Sequence, residues 1–147
     1  MDNLTYYLND NEIKSYLSVH NTVLDAVKVM KQNNTSYVIV QDNGLDIGIF
    51  TESDLRNRVA LNNCLPSDVK LYQVMTKGIR GVDADASINK SLKKLKKEES
   101  HHLPVIKKGK VIAVLNTRTL LKIALESVSR ERRNLLDYIN GTPYVSV

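Results

Sequence analysis

A threonine and an aspartate three residues apart, Thr51 and Asp54, stand where an apolar run gives way to polar chain. The run is Gly48-Ile49-Phe50-Thr51-Glu52-Ser53-Asp54-Leu55. Ile47, Ile49 and Phe50 favour a buried strand, and the [ST]-x-x-[DE] spacing after them is a capping pattern that opens a helix. A helix start presents unpaired N–H groups and the positive end of a dipole, which suit an anion. The same two residues can equally do no more than cap the helix. Other candidate chemistry is thin. Cys64 is the one cysteine and has no evident histidine partner. His101 and His102 are adjacent, a spacing that seldom serves one metal ion, and no Cys-x-x-Cys or His-x-x-x-His pattern supports them. There is no G-x-S-x-G, no Walker A and no Rossmann glycine fingerprint. The chain therefore reads as a non-enzyme with no metal requirement.

The 147 residues are enough for one compact domain or two small halves sharing a core. A hydrophobic content of 42% and a charged content of 25% are ordinary for a soluble globular chain. No apolar run approaches the roughly 18 residues of a membrane span. The first residues lack the basic and apolar regions of a secretion signal, and a lone cysteine suits a reducing compartment, so cytoplasm is expected. The net charge of +5 favours anionic partners without choosing among nucleotides, nucleic acid and acidic proteins. Lys90, Lys93, Lys94, Lys96 and Lys97 supply much of it. Because Ile88, Leu92 and Leu95 share a helical face, these lysines read as the solvated side. No aromatic residue interleaves with them for base stacking, which makes nucleic acid the weaker expectation.

The elements that must position Thr51 and Asp54 come in a repeating order. Residues 1–12 form an arm. Ile13 to Val19 is extended, and Thr22 caps a helix with Val23, Ala26, Val27 and Met30 on one face. Tyr37 to Val40 is a strand, Asp42-Asn43-Gly44 a hairpin turn, and Ile47 to Phe50 the return. Residues 13–63 make a first repeat, 64–73 a connector, 74–126 a second repeat, and 127–147 a helical extension and tail. In the second repeat Ser87 takes the place of Thr22, Leu103 to Ile106 and Val111 to Leu115 form the hairpin, and Asn116 caps the last helix. A shift of 65 positions superposes the halves, with one compensated single-residue gap expected near the first strand of each hairpin. A β-α-β-β-α unit of this size buries its apolar face poorly alone, so two copies packed sheet to sheet, with pseudo-two-fold symmetry and clefts between them, are expected.

This arrangement resembles a tandem pair of cystathionine β-synthase (CBS) domains, the Bateman module. The resemblance rests on Gly48 to Leu55, on Val74-Met75-Thr76, on the helix opening at Ser87 and on His102-Leu103-Pro104-Val105, and covers roughly residues 9–126. It implies an α/β (α+β) fold of two β-α-β-β-α repeats. It also implies an adenosine-containing ligand (AMP, ADP, ATP or S-adenosylmethionine) bound between them, whose level is relayed to a partner. On that basis Asp54 accepts from ribose hydroxyls, Thr51 and the N–H groups of Glu52 and Ser53 face a phosphate, and Arg80 pairs with phosphate. Thr76 and Gly81 also face the ligand, Ser100 and His101 lie near base or phosphate, and Thr35 and Ser36 hold the equivalent place in the first repeat. Asn116, Arg118 and Thr119 mark a second, degenerate cleft, since Thr119 lacks the charge of Asp54. A homodimer is expected. Leu135, Leu136 and Ile139 need a partner surface: a dimer contact, another protein, or the chain's own arm at Tyr6 and Tyr7. Gly141 closes the last helix, with Pro143 beyond it. The competing readings are a nucleic-acid-associated basic protein and a purely structural dimerisation module with a vestigial cleft.

Overall fold

A computed structural model describes residues 3–8, 13–98 and 101–141. The same local causes build both halves. In the first, the Thr22 hydroxyl accepts from the Asp25 N–H while the Asp25 carboxylate accepts from the Thr22 N–H, a full capping box that opens helix α1 (Val23–Asn33). Val23, Ala26 and Met30 form its buried face, and Asn34 ends it at φ 53°. Strand β1 (Tyr16–Ser18) precedes it; β2 (Tyr37–Asp42) and β3 (Leu45–Thr51) follow. Their turn places Asn43 and Gly44 at φ 52° and 78°, both positive as a two-residue hairpin of matching twist requires. Helix α2 (Glu52–Asp54) runs on as a π-helix over Leu55–Ala60.

The second half repeats this with β5 (Val82–Asp83), α4 (Ile88–Lys96) under the Ser87 cap, β6 (His102–Lys107), β7 (Lys110–Asn116) and α5 (Thr117–Ile139). Lys108 and Gly109 make the equivalent turn at φ 51° and 76°. The shift of 65 holds through both hairpins without the expected gap. The first hairpin strands start at Tyr37 and His102, 65 apart, and each carries a β-bulge at the equivalent place, Val40/Gln41 and Val105/Ile106.

Two sheets result, with strand orders β1-β2-β3-β4, the last being Thr76–Lys77, and β5-β6-β7. Each begins with a parallel pair and continues with an antiparallel hairpin. Ile39, Ile49 and Val111 are buried between the halves, with Ile13, Tyr16, Tyr37, Ile79 and Val114 packed around them. Polar ties cross the same seam: the Val111 N–H donates to the Asp46 carboxylate at 3.0 Å. Each half also keeps its own helix-covered core.

Residues 64–73 do more than link the repeats. Leu71, in the short helix α3 (Leu71–Val74), is fully buried in the first half's core, and its N–H donates to the Asn21 carbonyl. The N-terminal segment does the same for the second half. Leu4, in a 3₁₀ turn over Leu4–Tyr7, is fully buried in the core built by Ile88, Leu103 and Leu120, and its N–H donates to the Ala86 carbonyl. Two isolated bridges, Asn3 with Ser87 and Thr22 with Lys70, repeat the symmetry. Each half is thus completed by the segment that leads into the other.

Candidate functional site

Thr51 and Asp54 form a second complete capping box. The Thr51 hydroxyl accepts from the Asp54 N–H, and the Asp54 carboxylate accepts from the Thr51 N–H at 3.0 Å. Two features set it apart from the box at Thr22. It is buried, Thr51 at 1% and Asp54 at 7% exposure, and it opens into a cleft between the halves. The second Asp54 oxygen is held only by long contacts, to the Thr76 hydroxyl at 3.4 Å and to the Arg58 guanidinium at 3.5 Å. The Arg58 guanidinium is itself fixed, donating to the Val74 and Met75 carbonyls at 3.1 and 2.9 Å.

Gly48 brings Thr76 there. Strand β4 (Thr76–Lys77) lies antiparallel to β3, with Gly48 opposite Lys77 and Ile49 opposite Thr76. A Cβ on Gly48 would stand 2.7 Å from the Thr76 carbonyl and 2.9 Å from the Met75 sulfur. The absent side chain lets the strand approach and seat Thr76 over Asp54.

The cleft encloses about 570 Å³, within the range that takes a nucleotide-sized molecule. Thr51, Ser53 and Asp54 form one wall, Thr76, Gly78 and Arg80 a second, and Lys97, Glu98, His102 and Pro104 a third. Arg56, Asn57 and Arg58 complete it from the π-helical turn. The wider turn brings three consecutive side chains to one opening, a form of helix recurrent at functional sites. Arg56, Arg58, Arg80 and Lys97 outnumber Asp54 and Glu98, so the cleft carries a positive excess that suits an anion.

Of the residues expected at a ligand, Thr51, Ser53, Asp54, Thr76 and Arg80 line this one cleft. The others lie elsewhere. Ser36 sits behind His102, its hydroxyl 2.6 Å from the ring Nε2. Thr35 bonds Ser15 and its own strand on the opposite side. Gly81 borders a neighbouring hollow, and its lack of a Cβ lets the chain run against the Pro104 carbonyl. His101 is exposed at φ 59°, and His102 faces the cleft in its place. Strand alternation explains the exchange: Leu103 and Val105 enter the core, so His102 and Pro104 point the other way. Ser100 lies outside the described residues. The Glu52 N–H is not free for an anion, because it donates to the Ser36 carbonyl at 3.1 Å.

Comparison with known proteins bears directly on this architecture. The family model of the CBS domain matches residues 13–61 and again 71–126. This chain is a pair of CBS domains. A 17.7 kDa uncharacterized protein of Acidianus ambivalens is 30% identical over 123 residues, 82% of this chain and 73% of that one. The CBS domain-containing protein CBSCBSPB2 of Arabidopsis thaliana is 31% identical over 110 residues, 74% of this chain but only 20% of the plant protein. A CBS-domain structure from Burkholderia ambifaria superposes with a TM-score of 0.72 at 25% identity, covering 80% of this chain and 85% of that one.

The two CBS repeats treat their helix mouths differently. In the second, the Asn116 side chain accepts from the Thr119 N–H at 2.8 Å and caps α5, yet Asn116, Arg118 and Thr119 are all exposed. Ala113 replaces Gly48, and among the described residues no strand flanks β7 on that side. The shift that relates the repeats also carries the lining residues Arg80, Lys97, Glu98 and His102 onto Ser15, Gln32, Asn33 and Tyr37. These four, with Ile13, Lys14 and Thr35, border a separate cavity of about 600 Å³.

The two capping carboxylates show what burial does. Asp25, near the surface, is held below the ordinary carboxylate value by the Thr22 N–H and the Asn21 amide. Asp54 accepts comparable bonds, but its burial outweighs them and the Arg58 charge, and its carboxyl titrates above the ordinary value. Among the described residues no three His, Cys, Asp or Glu side chains gather as a metal site would need, and no helix is long and apolar enough to cross a membrane.

Proposed function

We propose that this CBS pair is a non-enzymatic regulatory module, acting in the cytoplasm, that binds an adenosine-containing nucleotide in the cleft at Asp54 and relays its level to a partner. The observation that carries this reading is the meeting of a loosely held, acceptor-only carboxylate with four cationic side chains in one nucleotide-sized cleft. Asp54 exchanges its long contacts for the two ribose hydroxyls, which are donors. Arg80 and Lys97, exposed and among the cations of the cleft, take the phosphates, and Ile49 and Pro104 give the base an apolar wall. The positive excess supports ATP and ADP over AMP, and favours cationic S-adenosylmethionine least. No metal is required. The relay is linkage: a ligand that favours one arrangement of the halves shifts the equilibrium by its differential affinity.

Thermal unfolding with each nucleotide, on the wild type and on Asp54→Ala, tests this. A ligand at 100 times its dissociation constant stabilises the fold by about 2.7 kcal/mol. The expected outcome is a raised midpoint with ATP that the variant loses. No shift at millimolar concentration leaves a purely structural module whose Thr51 and Asp54 cap a helix. One observation favours a second reading: Lys90, Lys93, Lys94 and Lys97 ring a hollow of about 420 Å³ beside the cleft. A nucleic-acid role for that face predicts binding that weakens steeply with salt.

A further inference from the structure

Lys90, Lys93, Lys94 and Lys97 fall at i, i+3, i+4 and i+7, a single row along one side of helix α4. The equivalent positions of α1 hold Asp25, Lys28, Val29 and Gln32, and the equivalents of Lys107 and Lys108 are Asp42 and Asn43. The first repeat therefore builds the same fold without this charge, and solvating a helix does not explain it. Lys90 even works against its own helix. It stands at the third helical position, where Asp25 completes a capping box in α1. There it leaves Ser87 to cap alone and sets a cation at the positive end of the helix dipole. Lys90 with Lys94, and Lys93 with Lys97, add like-charge pairs one turn apart. Among the described residues none of the four is held in an ion pair. A local cost carried by one repeat alone marks these positions as serving something other than folding.

The row borders a hollow of about 420 Å³, closed by the edge strand β5 and by Ile106. A second hollow, of about 440 Å³, leads on to Lys107 and Lys108. The two adjoin at Asp83 and Ile106, which line both, so lysines stand at either end with carboxylates and an apolar side chain between. A nucleic-acid strand carries a phosphate at every step and would set some of them against Asp83 and Asp85. Among the described residues no aromatic side chain lines either hollow for a base to stack on. A polypeptide can instead place one acidic cluster on each group of lysines and neutral or apolar side chains over the middle. Lys97 also lines the nucleotide cleft, and it cannot serve a phosphate there and a partner's carboxylate at once. We infer that the lysine face of α4 docks an acidic polypeptide segment of a partner protein, and that ATP in the cleft weakens this contact by engaging Lys97. The docking stands apart from the nucleotide reading; the antagonism rests on it.

Fluorescence anisotropy on the full chain in about 0.15 M salt, with a labelled peptide of Leu-Ser-Leu between two runs of three glutamates, tests the docking. The wild type should bind this peptide at least about tenfold more tightly than the double variant Lys90→Glu with Lys94→Glu. Lys28→Glu with Lys31→Glu makes the same charge change at exposed positions of α1 and should stay within about twofold of the wild type. A thymidine oligonucleotide of equal charge should bind at least about tenfold more weakly than the peptide. No binding of the peptide, equal losses in the two double variants, or tighter binding of the oligonucleotide overturns the docking. Lys90→Glu alone supplies the carboxylate that the Ser87 cap lacks, so its thermal midpoint should not fall and its lost binding is not unfolding. Saturating ATP should lower the peptide affinity several-fold in the wild type and not in Asp54→Ala. ATP that binds by isothermal titration without this effect, or that acts equally on both proteins, overturns the antagonism. ATP that does not bind at all removes the nucleotide reading and the antagonism with it, and leaves the docking standing.

Discussion

The two cavities that share repeat-related residues are nearly equal in size, about 570 and 600 Å³, and unequal in charge: four cations and two carboxylates line the first, and Lys14 alone is charged in the second. One offers Arg80, Lys97, Glu98 and His102; the other offers Ser15, Gln32, Asn33 and Tyr37 at the same places. The repeat gives both this shared side, because strand alternation and helix caps survive most substitutions, whereas the wall of Thr51, Ser53 and Asp54 belongs to the first cavity alone. Charge does not follow from backbone, and it has diverged. The shape of a cleft is therefore a property of the fold, while its ligand class depends on a handful of side chains at the rim.

Exchanging those side chains tests the contrast most severely. Arg80→Ser with Lys97→Gln should weaken the proposed ATP binding by about 100-fold or more, since hydrogen bonds to charged groups contribute about 1.5–3 kcal/mol each. Isothermal titration at constant ionic strength reads it, and an unchanged affinity would break the contrast. The backbone difference comes next. Gly48→Ala forces a methyl against the Thr76 carbonyl and should cost about 1–3 kcal/mol in urea unfolding. Ala113→Gly in the second repeat should cost less, about 0.5–1 kcal/mol of lost backbone restriction.

The smallest effect separates the two capping carboxylates by pH. Burial raises the Asp54 pKa, so between about pH 4 and that raised value the folded chain keeps a proton the unfolded chain has released. Stability contributed by Asp54 is therefore full at low pH and lost as pH rises through the folded pKa. Asp54→Asn should remove that slope from the urea midpoint measured between pH 4 and 7. Asp25, whose pKa is lowered, behaves oppositely: its contribution is present above about pH 4 and is lost as pH falls through the folded value. A common slope for Asp25→Asn and Asp54→Asn would show that burial does not distinguish the boxes.

Much of this was legible in the sequence, and the exceptions share a cause. The caps at Thr22, Thr51, Ser87 and Asn116, the hairpin turns and the order of elements follow from local residue chemistry, and the CBS family match covers both repeats. Thr51, Asp54, Thr76 and Arg80 could be brought to one cleft because a two-fold repeat fixes which segments meet. Arg58 is not legible as a site residue: its four-residue spacing from Asp54 is visible, but its ties to the Val74 and Met75 carbonyls depend on where the connector returns. In the sequence Lys97 belongs to a solvated run, since a helix pattern tells inside from outside and not which outside face borders a cleft. The exchange of His101 for His102 was recoverable, because the alternation of Leu103 and Val105 already fixed the strand's facing.

The reciprocal seating of Leu4 and Leu71 has a consequence for the order in which the chain can fold. Leu71 is made soon after the core it enters. Leu4 is made before every residue it packs against in the second half's core, and must wait for Ile88, Leu103 and Leu120 to be synthesised. The Thr5 hydroxyl likewise finds its acceptor, the Ala84 carbonyl, 79 positions later. At ribosomal rates of about 5–20 residues per second, that is a delay of roughly 4–16 s. During it, an apolar side chain destined for full burial stays in water. Birth order and burial order run in opposite directions at the two ends of this repeat, so half of a duplicated sequence is not half of a folding unit.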